Sequence, residues 1–229
     1  MRHVPASRRQ CGVAAQRFFP WLAMVVLLGA CSSAYYDAME KLGYEKRDIL
    51  VSRVQEAQDA QNDAQDTFRS ALDEFQSVVD TPDTPLKARY EQVQSAFDDS
   101  DAAARNVRRR IDQVEDVAGA LFKEWERELR SYESQTLRQS SEQKLRETRG
   151  HYDQLIGRMQ DAAKRMDPVL RAFQDQVLYL KHNLNAQAIA ALEGELGRIR
   201  QDVDALIREM ERSIAESEAF LQRLQRVES

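Results

Sequence analysis

Apolar side chains recur along this chain in alternating steps of four and three, the period of a helix that buries one stripe against its neighbours. The first stripe is Leu50, Val54, Ala57, Gln61, Ala64, Phe68, Ala71, Phe75 and Val78, with Gln61 its one polar member. A heptad pattern of this kind predicts a long, coiled-coil-like helix. Thr81-Pro82-Asp83-Thr84-Pro85 ends it, because the two prolines remove backbone donors and fix φ in a turn-like run. The second stripe runs Leu86, Tyr90, Val93, Phe97, Ser100, Ala104, Val107, Ile111, Val114, Ala118, Leu121, Trp125, Glu128 and Tyr132, which predicts a helix of about 70 Å at ~1.5 Å per residue.

Continued past Tyr132, the stripe falls on Gln135, Gln139, Glu142 and Arg146, all polar, so the pattern predicts a break. Ser140 and Gln143 have capping-box spacing, and the third helix is expected to start there. Its stripe is Thr148, Tyr152, Leu155, Met159, Ala162, Met166, Val169, Phe173 and Leu180. Asp167-Pro168 sits inside without disturbing the phase, which predicts a kink and not an end. His182-Asn183-Leu184-Asn185 is the next turn, with Asn185 as N-cap of the last helix. That helix carries Ile189, Leu192, Leu196, Ile199, Val203, Leu206, Met210, Ser213, Ser217, Phe220, Leu224 and Val227.

Comparable lengths and short connections favour antiparallel neighbours. The fold class expected is therefore all-α: an elongated antiparallel bundle of about four long coiled-coil-like helices, with open hairpins as the alternative. Acid-first pairs at i,i+4 (Asp37/Lys41, Glu126/Arg130, Glu142/Arg146, Asp161/Arg165, Asp204/Arg208) would each add ~0.2–0.5 kcal/mol. Gly150, Gly157, Gly194 and Gly197 interrupt the last two helices, and mark either close helix approach or tolerated surface positions.

Composition agrees with long helices, being 31% charged and only 7% aromatic. The N-terminus changes the picture more. Arg2, Arg8, Arg9 and Arg17 precede an uncharged stretch from Phe18 to Ala30, the layout of a secretory signal, and that stretch is shorter than the ~20 residues a transmembrane helix needs. Leu28-Gly29-Ala30-Cys31 closes it and resembles the bacterial lipobox. There a cysteine thiol takes a diacylglyceryl thioether, and small neighbours admit the signal peptidase. Cleavage before Cys31 would leave a chain of 31–45 as lipidated N-terminus and tether, then 46–229 as the long-helix domain, after a signal peptide of 1–30. Ser7-Arg8-Arg9 departs from a twin-arginine signal at Cys11 and Gly12. Cys11 would leave with the signal, so the mature protein has no second thiol for a disulfide.

With those four arginines gone, the net charge of −5 falls to about −9, against a nucleic-acid partner. Ser32, where enterobacterial-type lipoproteins retained at the inner membrane have Asp, points to the outer membrane, facing the periplasm, in a host that uses this sorting rule. The only prosthetic chemistry expected is the diacylglyceryl and N-acyl lipid on Cys31, several chains making a stable anchor where one is marginal.

Enzyme signatures are absent from the sequence. There is no Walker A loop, no Gly-x-Ser-x-Gly elbow, and beyond Cys31 only His151 and His182 to ligate zinc. No catalytic or metal residue is assigned and no enzyme is expected. Arg108-Arg109-Arg110, flanked by stripe residues Val107 and Ile111, reads as an exposed face of the kind an anionic phospholipid or glycan contacts.

The run FQDQVLYLKHNLNAQAIAAL from Phe173 to Leu192 carries a family resemblance, together with the lipobox, Gly43 to Leu50 (GYEKRDIL) and Ser213 to Ser217 (SIAES). In these segments the chain resembles the proteobacterial domain-of-unknown-function family numbered twenty-nine fifty-nine. The resemblance implies a helical periplasmic lipoprotein without an established activity or an assigned site. Some such sequences are described as repair ATPases, a description that the missing ATP-binding loop contradicts.

The function expected is a tethered, non-enzymatic scaffold, spacer or adaptor with a protein partner or self-association. The alternative is an accessory that binds a lipid or cell-wall glycan between its helices. In an up-down bundle the Thr81–Pro85 and His182–Asn185 turns share the end far from the anchor, which makes Lys181, His182, Asn183 and Asn185 candidate partner-binding residues. They serve equally as helix caps and incidental turn residues.

Overall fold

Each predicted stripe becomes the inner face of a helix in the computed structural model, which describes residues 46–80, 85–183 and 186–226. Helix α1 spans Lys46–Asp80, α2 Leu86–Glu128, α3 Gln135–His182 and α4 Ala186–Arg226, with a 3-10 turn at Leu129–Ser131. At ~1.5 Å per residue, the 48 residues of α3 extend about 70 Å.

All nine stripe positions of α1 are buried, as are all ten described stripe positions of α4, because a heptad spacing keeps one face turned to the interior. α2 departs from the expected stripe. Ala96 is buried and Phe97 half-buried, and towards the end Phe122 and Leu129 turn inward while Leu121 and Trp125 are half-buried and Glu128 and Tyr132 exposed. Two successive steps of four, Val114 to Ala118 to Phe122, move the stripe round the helix, the effect of a stutter in a coiled coil.

The helices form a closed antiparallel ring: α1 packs on α2, α2 on α3, α3 on α4, and α4 back on α1. This last contact, seen where Arg200 donates to Gln76 Oε1 at 2.8 Å and Gln58 to Glu218 at 3.3 Å, excludes the open hairpins. Across the ring the Phe173 ring of α3 stacks on Phe75 of α1 with centroids 4.5 Å apart, and lies 6.3 Å from that of Phe68. Aromatic side chains from opposite helices thus fill the centre.

α3 passes through Pro168 without ending. The glycines are surface positions: a Cβ built on Gly119, Gly150, Gly157, Gly194 or Gly197 meets nothing within 4 Å, so no helix approaches there.

The core includes a few polar side chains. Ser100 and Ser217 bond back to carbonyls four residues earlier, at 2.8 and 2.9 Å. Gln61 is fully buried, and among the described residues neither of its amide atoms has a hydrogen-bond partner, nor does the Ser213 hydroxyl. A buried unpartnered polar group costs roughly 1–3 kcal/mol. Gln61→Leu is therefore expected to raise stability by about that amount in a urea titration. A loss would show that the amide is satisfied in solution.

Candidate functional site

The connections of a bundle gather at its two ends, and the residues singled out from the sequence divide between them. One end holds the turns after Asp80 and after His182. Lys181 and His182 close α3 there with both side chains exposed. Asn183 is committed to the helix: its Nδ2 donates to the Tyr179 carbonyl at 3.0 Å, and its backbone N–H reaches the Tyr179 and Leu180 carbonyls. It acts as a C-cap, so the capping role is the one the geometry supports. Asn185 lies outside the described residues, as do Leu28, Gly29, Ala30 and Cys31 and the pair Asp37/Lys41.

Beside Lys181 and His182 stand two apolar side chains that the stripe pattern passed over, Leu178 at 49% and Tyr179 at 39% exposure. Their signal in the sequence was their position off the stripe, next to Leu180 which is on it. Apolar surface beside a cation and an imidazole is suited to burying part of a protein partner while fixing its orientation.

The other end corrects an expectation. α3 begins at Gln135, ahead of the Ser140–Gln143 capping box, which lies inside the helix. Its N-cap is Ser134, whose hydroxyl accepts from the Leu137 N–H at 3.4 Å. Trp125 Nε1 donates to Ser141 Oγ at 2.8 Å, tying the end of α2 to this first stretch of α3.

Midway along, the arginine run does not form a free basic face. Arg108 pairs with Asp167 of α3, and Arg110 with Glu56 of α1 at 2.6 Å, where Arg53 also bonds Glu56 at 2.7 Å. Val107 and Ile111 on the seam turn the residues between them to its edges, so these two arginines clamp different neighbours; Arg109 is exposed and bonds Asn106. Several predicted intrahelical pairs are likewise replaced: Glu126 reaches across to Arg149 of α3 at 2.8 Å, Glu142 pairs with Arg138 and Asp161 with Lys164.

Tyr152 meets Phe122 edge-on at 5.4 Å, and its hydroxyl is pushed up to about 12 by burial, then by the charges of Glu115 and Asp153. Because the folded value exceeds that of the free side chain, this group favours folding below pH 10 and loses that contribution only as pH climbs towards 12. Between α1 and α2 an open groove of about 370 Å³ has Ala71 and Ala96 at its floor and Thr67, Ser70, Glu74, Gln92, Ser95 and Asp99 around them. His151 and His182 lie roughly 45 Å apart along one helix, too far to share an ion. Among the described residues no group of three or more His, Cys, Asp and Glu could hold a metal, and no helix is long and apolar enough to cross a membrane.

Against known proteins, a family model described as protein of unknown function (DUF2959) matches residues 35–224. No curated protein and no solved structure matches the chain.

Proposed function

We propose that this chain, which belongs to the DUF2959 family of proteins of unknown function, is a lipid-anchored envelope protein that serves as a non-enzymatic scaffold, spacer or adaptor at the periplasmic face of the outer membrane. The observation that carries the reading is Leu28-Gly29-Ala30-Cys31 at the end of an uncharged stretch, upstream of a bundle whose centre is filled by its own side chains. Such a bundle is stiff and offers its surface and ends rather than its interior. A thiol is required for the thioether, so Cys31→Ser should abolish incorporation of labelled palmitate in cells and leave unprocessed or aberrantly processed protein. Palmitate incorporation at the wild-type level in that variant would overturn the anchor.

The partner surface proposed is the end bearing Lys181 and His182. Both are exposed, so Lys181→Ala with His182→Ala should keep the thermal midpoint within a few degrees while weakening in-cell crosslinking to a partner or a second copy. Intact crosslinking would move recognition to the helix faces. A second reading, an accessory that binds a cell-wall glycan, draws on the groove between α1 and α2, whose mixed lining of alanine, hydroxyl, amide and carboxylate groups can meet both the faces and the hydroxyls of a sugar. Native mass spectrometry of membrane-purified protein separates the two: a co-purifying glycan favours the accessory, and ligand-free protein the scaffold.

A further inference from the structure

The long helices are not flush at the end where α1 begins. Glu126 of α2 pairs with Arg149 of α3, Phe122 meets Tyr152, and Glu115 accepts from Gln160, so each step towards the end of α2 meets a step towards the start of α3. On that register Glu128, the last residue of α2, is level with Glu147. Leu224, near the described end of α4, lines a groove with Lys144 and Thr148. The first turns of α3 therefore extend past the last turn of α2, and the Trp125–Ser141 bond keeps them close against its end.

This extension is built to hold its shape. Leu129 and Leu145 are buried at its base, the Trp125–Ser141 bond ties it down, Ser134 caps it, and Arg138 bonds Glu142 along it at 3.0 Å. Yet residues 131–140 are all exposed, and they include Tyr132 at 41% and Leu137 at 59%, the most exposed large apolar side chain described. The charges around them are mixed: residues 126–142 hold Arg127, Arg130 and Arg138 with Glu126, Glu128, Glu133 and Glu142, and Arg138 is paired with Glu142.

We propose that this tip is a second membrane contact, resting on the phospholipid surface that holds the acyl anchor. Leu137 and Tyr132 enter the boundary between headgroups and acyl chains, as the apolar side chains of interfacial segments do, with the exposed Arg127 and Arg130 beside them at the level of the phosphates. The proposal rests on the anchor reading above. Cys31 and Lys46 are joined by residues 32–45, a tether of at most ~50 Å fully extended. Lys46 opens α1 at the tip's end of the bundle, bonded to Glu124 of α2 at 2.9 Å. A lipid and a tip at one end hold the bundle in one orientation, with the Lys181–His182 end directed away.

The test uses the mature lipidated protein, purified in detergent and reconstituted into vesicles of phosphatidylethanolamine with phosphatidylglycerol. Cys31 is acylated, so Leu137→Cys supplies a single free thiol for an environment-sensitive fluorophore, and Leu178→Cys supplies the same at the opposite end; both sites are exposed, and thermal melts check folding. Palmitate labelling and vesicle flotation report the anchor independently. The expected result is flotation, a blue shift at position 137 and quenching there by a lipid-borne spin label, with position 178 unaffected. Flotation without quenching at 137 overturns the tip contact and leaves the anchor standing. A blue shift at 137 that the lipid quencher does not touch also overturns it, since a protein then covers the tip. Protein that carries no palmitate overturns the anchor reading and the tip contact with it.

Discussion

Phe68→Asp is expected to cost at least about 5 kcal/mol and to leave the bundle unfolded or nearly so at room temperature. Phe68 is fully buried, and its ring lies 6.3 Å from Phe173 of the opposite helix. Removing a buried aromatic ring costs ~3–5 kcal/mol through lost transfer energy and the cavity left behind. The carboxylate adds a further penalty, because it must sit uncharged or unpaired in the interior. Against a total stability of ~5–15 kcal/mol, the sum is most of what holds a domain together. Asp63→Ala, on the exposed face of the same helix, should change stability by less than ~0.5 kcal/mol. The bond from Thr67 survives, since it goes to the Asp63 backbone carbonyl and not the carboxylate. Urea titrations followed by circular dichroism compare the two, and similar midpoints would show that the stripe does not face the core.

That contrast is legible in the sequence because burial dictates periodicity. A residue that must face inward on a helix can only be repeated at steps of three and four, and α1 and α4 obey this along their described length. Where packing does not govern, periodicity is silent. Residues 131–140 are all exposed, so no burial demands an apolar stripe there, and residues of good helix propensity such as Gln135, Leu137, Arg138 and Glu142 sustain the helix with Ser134 as its cap. Ser140 and Gln143 satisfied the capping pattern better and still lie mid-helix. The break itself is real, at residues 129–134, and only the start of the next helix lies earlier than the capping pattern placed it.

Charges were the other blind spot. Pairs at i,i+4 follow from one helix alone, but Glu126 chose Arg149, and Arg108 and Arg110 chose Asp167 and Glu56, because adjoining helices bring a partner as near as the next turn does. Which helix lies alongside, and in what register, is tertiary information. The same limit applied to the exposed Leu178 and Tyr179: an apolar residue off the stripe is meaningful only once the neighbouring surface is known. Lys181 and His182 were placed at an exposed end as read, while Asn183 turned out to be a cap.

The glycines separate two hypotheses that spacing left open, and they give the second large effect. A close helix crossing would make Gly→Ala destabilising, because a methyl would meet the facing backbone. Here a Cβ at Gly119, Gly150, Gly157, Gly194 or Gly197 meets nothing within 4 Å, and all five sit inside helices. Alanine is favoured over glycine at an exposed helix interior by ~1 kcal/mol, in part because it narrows the unfolded ensemble. Gly119, Gly150 and Gly157 are separated and should add, while Gly194 and Gly197, one turn apart on one helical face, couple slightly. Changing all five to alanine is therefore expected to add about 4–5 kcal/mol and to raise the melting temperature by roughly 10–20 °C for a domain of this size. Calorimetry on the single and combined variants tests this position by position. Any single glycine whose alanine variant lowers the midpoint of the isolated protein would show that its face is covered by another surface, and would restore the close-approach reading at that position.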